Sequence, residues 1–254
     1  MHRFFLSIEE SQIQQLTLTG DEAHHAHHVL RLQPGQTVEV LNGTGEIIAC
    51  EVRSSSRTTL DLAVKVRRSL AAFPCPVTLV QALPKGKLFE DIVEKATELG
   101  VSRIVPLVSD RVISRPAADD APHKVAKWKR TAIEALKQCG SAWLPEISPP
   151  VSLGEYLCTA PRVDLPLLAS LQPGAVNIRD CAAQFCQNHR SVPRSASLWI
   201  GPEGDFSPAE IARIQTEAGA LPISLGPWVL RTETAAIAGL ALLNHELRTL
   251  RSAV

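Results

Sequence analysis

Between residues 36 and 66, apolar and polar positions alternate through the runs TVEVLNG, GEIIACEV and TLDLAVKV. A period of two is what a half-buried strand requires, because successive side chains point to opposite faces of a sheet. Asn42 followed by Gly43 predicts a hairpin turn between the first two runs, and SSSRTT at 54–59 predicts a polar turn before the third. A short helix belongs before them: Thr19 and Glu22 have the spacing of a capping box, and Pro34 with Gly35 closes it. Residues 1–72 therefore read as a small β-barrel with one embedded helix.

After LAAFPCP the texture becomes strand and helix in alternation, which predicts an α/β domain over residues 73–254. VTLVQAL (77–83) reads as a strand, and KLFEDIVEKATELG (87–100) as an amphipathic helix stopped at Gly100. SRIVPLVS is the next strand, and KVAKWKRTAIEALKQCG (124–140) the next helix. VDLPLLAS (163–170) and SLWIGPEG (197–204) read as buried strands. SPAEIARIQTEAG then reads as a helix, LPISLG as a strand, and TAAIAGLALLNHEL as a largely apolar final helix. Such alternation predicts a parallel sheet with helices on its faces.

Charge changes this picture only locally. Lys plus Arg and Asp plus Glu both total 26 in 254 residues, yet residues 84–137 hold 11 basic against 8 acidic side chains. A nucleic-acid footprint, if present, belongs in that segment. The six cysteines, at 50, 75, 139, 158, 181 and 186, show neither CxxC pairs nor metal spacing, the pattern of a reduced cytoplasmic protein. The first residues lack the apolar run of a signal peptide, and no stretch reaches the roughly 20 apolar residues of a membrane span. A soluble, cytoplasmic chain without membrane partners is expected.

Two stretches are candidates for chemistry. In LWIGPEGDFSPAE an apolar strand runs into a glycine loop and then into a helix with an over-determined start: Ser207 as N-cap, Pro208 at the first helical position, Glu210 completing the box. In SLGPWVLRTETAAIAGL a strand ends in Gly-Pro, passes the apolar WVL, and meets Arg231 and Glu233 directly before a helix. Ligands of open α/β sheets sit beyond the carboxyl ends of the strands. These two loops should lie side by side there and form one pocket with glycine backbone and apolar walls, suited to a flat, partly apolar cofactor. Neither loop is G-x-G-x-x-G or a Walker A sequence, which argues against a nucleotide-dependent dehydrogenase or an ATP site. A third stretch, HHAHHVLRL (24–32), holds half of the eight histidines. His24 and His28 are spaced for metal binding, but no third ligand is identifiable, and no metal is expected.

QALPKGKLFEDIVEKATELGVSRIVPL, ALKQCGSAWLPEI, WIGPEGDFSPAEI and LGPWVLRTETAAIAGL, in this order, resemble the ribosomal RNA small subunit methyltransferase E family. HHVLRLQPGQTVEVLNGTGE resembles the PUA-like front domain of that family, so the likeness covers nearly the whole chain. The resemblance implies a PUA-like β-barrel followed by a SPOUT-type α/β domain with a C-terminal trefoil knot. It also implies S-adenosylmethionine as cofactor, a homodimer, and methylation of N3 of a uridine in 16S rRNA, within the assembled 30S subunit. Arg231 and Glu233 become the catalytic candidates. Ser170, Leu171, Gly201, Pro202, Glu203, Gly204, Leu225, Gly226, Leu230 and Thr234 become the cofactor-binding candidates. His25, Arg31, Lys85, Lys87, Lys95, Arg111 and Gln138 become the RNA contacts. One departure stands out: relatives commonly carry Arg after QCG or QSG, where this chain has Ser141. The competing readings are a SPOUT enzyme acting on another RNA, whether a tRNA or a ribose 2′-oxygen, and a non-enzymatic RNA-binding protein, which would need no cofactor loops.

Overall fold

The computed structural model describes residues 1–112 and 118–252. Contacts divide the chain into two units: Met1–Ala72 with Ile133–Leu144, and Phe73–Ala132 with Pro145–Val254. The alternation pattern assigned residues 133–144 to the later domain; they group with the first unit, whose cluster of Leu41, Ile47, Leu136 and Ala142 is buried.

The first unit contains β1 (Arg3–Phe5), α1 (Ile8–Ser11), β2 (Gln15–Thr19), α2 (Gly20–His24), one π-helical turn (His25–Val29), β3 (Thr37–Leu41), β4 (Glu46–Ser55) and β5 (Thr59–Ser69). The sheet order is β1-β3-β4-β5-β2, with β1 parallel to β3 and the other pairs antiparallel. With β1 and β2 at the two ends of this order, the mixed sheet is a half-barrel, which fits the small β-barrel expected from the sequence. Register shifts at Ala49/Cys50 and Val52/Ser54 bend β4, as bulges do. Phe4, Leu16, Leu18, Val38, Val40, Ile48, Leu60 and Leu62 point inward and are buried.

The capping box expected before α2 does not form. Thr19 sits at the N-cap of α2 but makes no side-chain cap bond. Glu22, which should have completed the box, instead accepts a 2.8 Å hydrogen bond from Lys137. The expected hairpin turn joins β3 and β4 and spans four residues: Asn42 Oδ1 accepts from the backbone N–H of Thr44 (2.9 Å) and of Glu46 (3.1 Å), closing residues 42–45.

The second unit contains β6 (Val77–Ala82), α3 (Leu88–Glu98), β7 (Arg103–Val108), a 3-10 turn (Ala118–Asp120), α4 (Ala121–Cys139, whose last turns are grouped with the first unit), β8 (Glu146–Ile147), β9 (Val151–Ser152) and α5 (Leu153–Thr159). It continues through β10 (Leu165–Ala169), α6 (Ile178–His189), β11 (Ala196–Ile200), α7 (Pro208–Glu217), β12 (Leu221–Ile223) and α8 (Thr232–Ser252). Strand order is β12-β10-β11-β6-β7-β8, with β9 also on β7, and every pair is parallel. All five residues of β11, the polar Ser197 included, are buried, as befits a central parallel strand. Helix α8 lies hard against β11: a Cβ at Gly239 would come within 2.8 Å of Leu198 Cδ2. Among the described residues no helix is long and apolar enough to cross a membrane.

Candidate active site

A cavity of about 290 Å³ opens at the carboxyl ends of β10, β11 and β12, walled by the three loops that follow them. The expectation that the loops after β11 and β12 are neighbours needs one change. Strand β10 lies between β11 and β12, so its own loop, with Ser170 and Leu171, is the central wall. Of the positions named from sequence, Ser170, Leu171, Gly201, Pro202, Glu203, Leu225, Gly226, Leu230 and Arg231 line the cavity. Gly204, Glu233 and Thr234 are not among its lining residues. Ile200, Asp205, Ser224, Trp228, Val229 and Thr232 also line it and were not named. The signal for Trp228 was available, since a large apolar side chain in a Gly-Pro turn has no core to enter.

The loop after β11 is built for close approach. A Cβ on Gly201 would lie 2.8 Å from Asp205 Oδ1 and 3.1 Å from the Phe206 nitrogen, so only glycine fits without a shift. Asp205 is left-handed (φ 59°), and its carboxylate accepts from the next backbone N–H at 2.7 Å, the local bond that makes this conformation tolerable for Asp. Phe206 is buried with Trp199, Ile214 and Ala220 and fastens the far end of the loop to the core. Ser207 and Glu210 form the predicted capping box. The second oxygen of Glu210 also accepts from the backbone N–H of Asp110 (2.8 Å).

The loop is held from outside as well. The Lys85 backbone N–H donates to Glu203 Oε1 at 2.9 Å, and the Arg111 guanidinium donates to the Gly204 carbonyl. Thr232, buried at the first position of α8, donates to the Gly201 carbonyl at 2.6 Å and accepts from Gln81 Nε2 at 2.9 Å. Gln81 Nε2 also donates to the Ala82 carbonyl, while Gln81 Oε1 is buried without a partner among the described residues. An unpaired buried acceptor of this kind costs about 1–3 kcal/mol.

The loop after β12 is held more loosely. Ser224 Oγ bonds within residues 224–226, and Trp228 and Val229 are each 78% exposed. The Arg231 side chain is exposed and has no hydrogen-bond or ion-pair partner among the described residues. Arg231 and Glu233 therefore form no ion pair with each other, and Arg231 lines the cavity with no partner for its charge among the described residues.

The positions named for RNA fall in both units. In the second, Lys85 and Lys87 are exposed on the loop between β6 and α3, and Arg111 is exposed beside Gly204. Lys95 differs: hydrogen bonds to Glu94 (2.7 Å) and Glu98 (2.9 Å) raise its pKa and already occupy its charge. In the first unit, Arg31 is exposed with left-handed backbone (φ 52°), ending the π-helical turn so that Leu32 enters the core. His25 opens onto a surface groove with Asp21, Glu22, Glu134 and Lys137. Burial works against the Lys137 ammonium, but hydrogen bonds to Glu134 and Glu22 prevail and raise its pKa. Gln138 is exposed, and its carbonyl accepts from Arg3 at 3.0 Å. Ser141, the departure noted above, caps the backbone N–H of Trp143 at 3.1 Å. The His24 and His28 rings lie 4.5 Å apart; lost hydration and the neighbouring His24, His27 and Arg57 lower the His28 pKa. Among the described residues no three His, Cys, Asp or Glu side chains are grouped to hold a metal ion.

Known proteins match both units. The family model of the RNA methyltransferase domain matches residues 71–244, and that of the RNA methyltransferase PUA domain matches residues 18–65. A ribosomal RNA small subunit methyltransferase E from Synechocystis is 32% identical, over 98% of this chain and 78% of its own length. A Legionella pneumophila protein solved in complex with the bound cofactor SAM superposes with a TM-score of 0.84 at 31% identity, covering 96% of each chain. A ribosomal RNA small subunit methyltransferase E from Neisseria gonorrhoeae, bound to S-adenosyl methionine, superposes with a TM-score of 0.83 at 27% identity, covering 96% of this chain and 97% of that one.

Proposed function

The chain belongs to the ribosomal RNA small subunit methyltransferase E family, and from that premise we propose that it transfers a methyl group from S-adenosylmethionine to N3 of a uridine in 16S rRNA, acting in the cytoplasm as a homodimer on the assembled 30S subunit. The observation that carries this reading is the three-loop cavity with an arginine at its edge that has no partner among the described residues. Its lining suits the cofactor: Leu171, Ile200, Leu225 and Leu230 offer apolar walls for a flat base, and Gly201 and Gly226 leave backbone groups accessible. When bound there, S-adenosylmethionine supplies an electrophilic methyl group on its sulfonium. The family's trefoil knot is part of the proposal.

The remaining task falls to the protein: position the uridine and ease the loss of its N3 proton. With a pKa about two units above neutral, that proton costs about 1.36 kcal/mol per unit to remove, under about 3 kcal/mol in all. Arg231, whose charge no neighbour among the described residues consumes, is placed to stabilise negative charge developing on O2 or O4 of the base. Glu233, half-buried in the first turn of α8, is the candidate proton acceptor. Gly204 and Thr234 flank the cavity in sequence and complete the cofactor set. Lys85, Lys87 and Arg111, with His25, Arg31 and Gln138 of the first unit, are the proposed RNA contacts, and Lys95 joins them only by exchanging its glutamate partners for phosphate.

Mapping methylated nucleotides in 16S rRNA from a deletion strain, with and without this gene restored, tests the reading. N3-methyluridine should vanish on deletion and return on complementation; a signal unchanged by deletion would defeat the substrate assignment. Binding of 16S rRNA should weaken steeply with salt if the basic residues neutralise phosphates.

A further inference from the structure

Gln81 is an enclosed amide on an otherwise apolar stretch of strand. It stands opposite Ile200 of β11, between Val80 and Ala82, and all three of the β6 residues are 0% exposed. Its surroundings fix which way the amide points. The Ala82 carbonyl can only accept, so the NH2 group faces it, and the same group donates to Thr232 Oγ1. The Thr232 proton is thereby directed to the Gly201 carbonyl, which also can only accept. This directional chain starts in the sheet, passes through the first residue of α8, and ends on the first residue of the loop after β11. It joins two walls of the cavity, although Gln81 is not itself part of the lining.

Stability alone does not account for an amide at this position. Its oxygen is buried with no hydrogen-bond partner among the described residues, so the amide carries a cost that offsets the two bonds its NH2 group donates. We propose that Gln81 is a positioning residue of the methyl-transfer site, acting through Thr232 to fix the Gly201 carbonyl and the Arg231 segment relative to each other. The inference rests on the S-adenosylmethionine reading above and extends it to a residue outside the cavity.

Three variants test it in the full-length protein. Gln81→Met keeps the length and removes the donors, Thr232→Val keeps the shape and removes the hydroxyl, and Thr232→Ser keeps the hydroxyl. Gln81→Met should unfold near the wild-type temperature, yet bind S-adenosylmethionine about tenfold more weakly by calorimetry and lose at least that factor in kcat. Thr232→Val should show the same loss and Thr232→Ser should restore near wild-type values. The double variant Gln81→Met/Thr232→Val should be no worse than the poorer single one, because both break one chain. A Gln81→Met protein with wild-type cofactor affinity and kcat would overturn the inference, as would fully additive losses in the double variant. Wild-type protein that bound no S-adenosylmethionine would overturn the functional reading itself, and this inference with it.

Discussion

The loop after β11 is tied down along its length: Thr232 holds the Gly201 carbonyl, the Lys85 backbone holds Glu203, Arg111 holds the Gly204 carbonyl, and Phe206 is sunk in the core. The loop after β12, across the same cavity, has two internal bonds of one serine, two apolar side chains in solvent and an arginine without a partner among the described residues. The first loop forms a wall whose shape is settled before any ligand arrives. The second keeps its groups free for whatever comes to the cavity. A methyl donor must be held in one pose, and pre-organised backbone does that at little entropic cost. An RNA base must be admitted and released, which suits the free edge at Arg231 on the looser side, whose Leu225, Gly226 and Leu230 also face the proposed cofactor.

Variants of matched size on the two loops should separate these roles. The largest stability loss belongs to Phe206→Ala, about 3–5 kcal/mol for a fully buried aromatic, read from denaturant midpoints. On the looser side, Arg231→Ala should lower kcat about 10²–10³-fold, equivalent to about 2.7–4 kcal/mol, with unchanged thermal midpoint and cofactor affinity. Retention of full methylation and of normal rRNA affinity would remove Arg231 from its assigned role. Gly201→Ala forces its new Cβ against Asp205 and Phe206, and should cost about 1–3 kcal/mol of stability and weaken cofactor binding. Trp228→Ala, by contrast, should move stability by no more than about 0.5 kcal/mol, since the ring packs against little. A large loss there would mean that the second loop is as fastened as the first.

The smallest effect is a pH dependence at the far end of α7, the helix that the tied loop feeds. A hydrogen bond from Arg213 holds Glu217 below the usual carboxylate range. A depressed carboxylate contributes stability above its unfolded pKa, and that contribution disappears as pH falls through the folded value. Acid titration should therefore destabilise wild type slightly more than Glu217→Gln, with the difference confined to acid pH. Because the pair is exposed, the difference should shrink in high salt.

What was legible in the sequence follows from the distance over which each feature is specified. The start of α7 is fixed by Ser207, Pro208 and Glu210, three residues within four positions, and the pattern predicted it as found. Thr19 and Glu22 offered the same local signal, but Lys137, 115 residues away, captures the glutamate and the box does not form. Local chemistry is thus a reliable guide only when no distant charge competes for it. Gln81 and Thr232 are 151 positions apart, and no spacing rule connects them. The same limit applies to strand order: alternation predicts a parallel sheet but not that β10 separates β11 from β12. Short elements such as β1, with three residues, carry too little period to be read. The cavity walls were visible as motifs because glycine-rich loops between apolar strands and capped helices leave a local trace.

The account's central claim is one modification at one atom of one RNA. Purified protein, 30S subunits from the deletion strain and isotopically labelled S-adenosylmethionine, followed by nuclease digestion and mass spectrometry, would measure it directly. The account predicts label in N3-methyluridine at a single site of 16S rRNA, lost with Arg231→Ala. Label on a ribose 2′-oxygen, label only in another RNA, or no transfer to 30S subunits would contradict it.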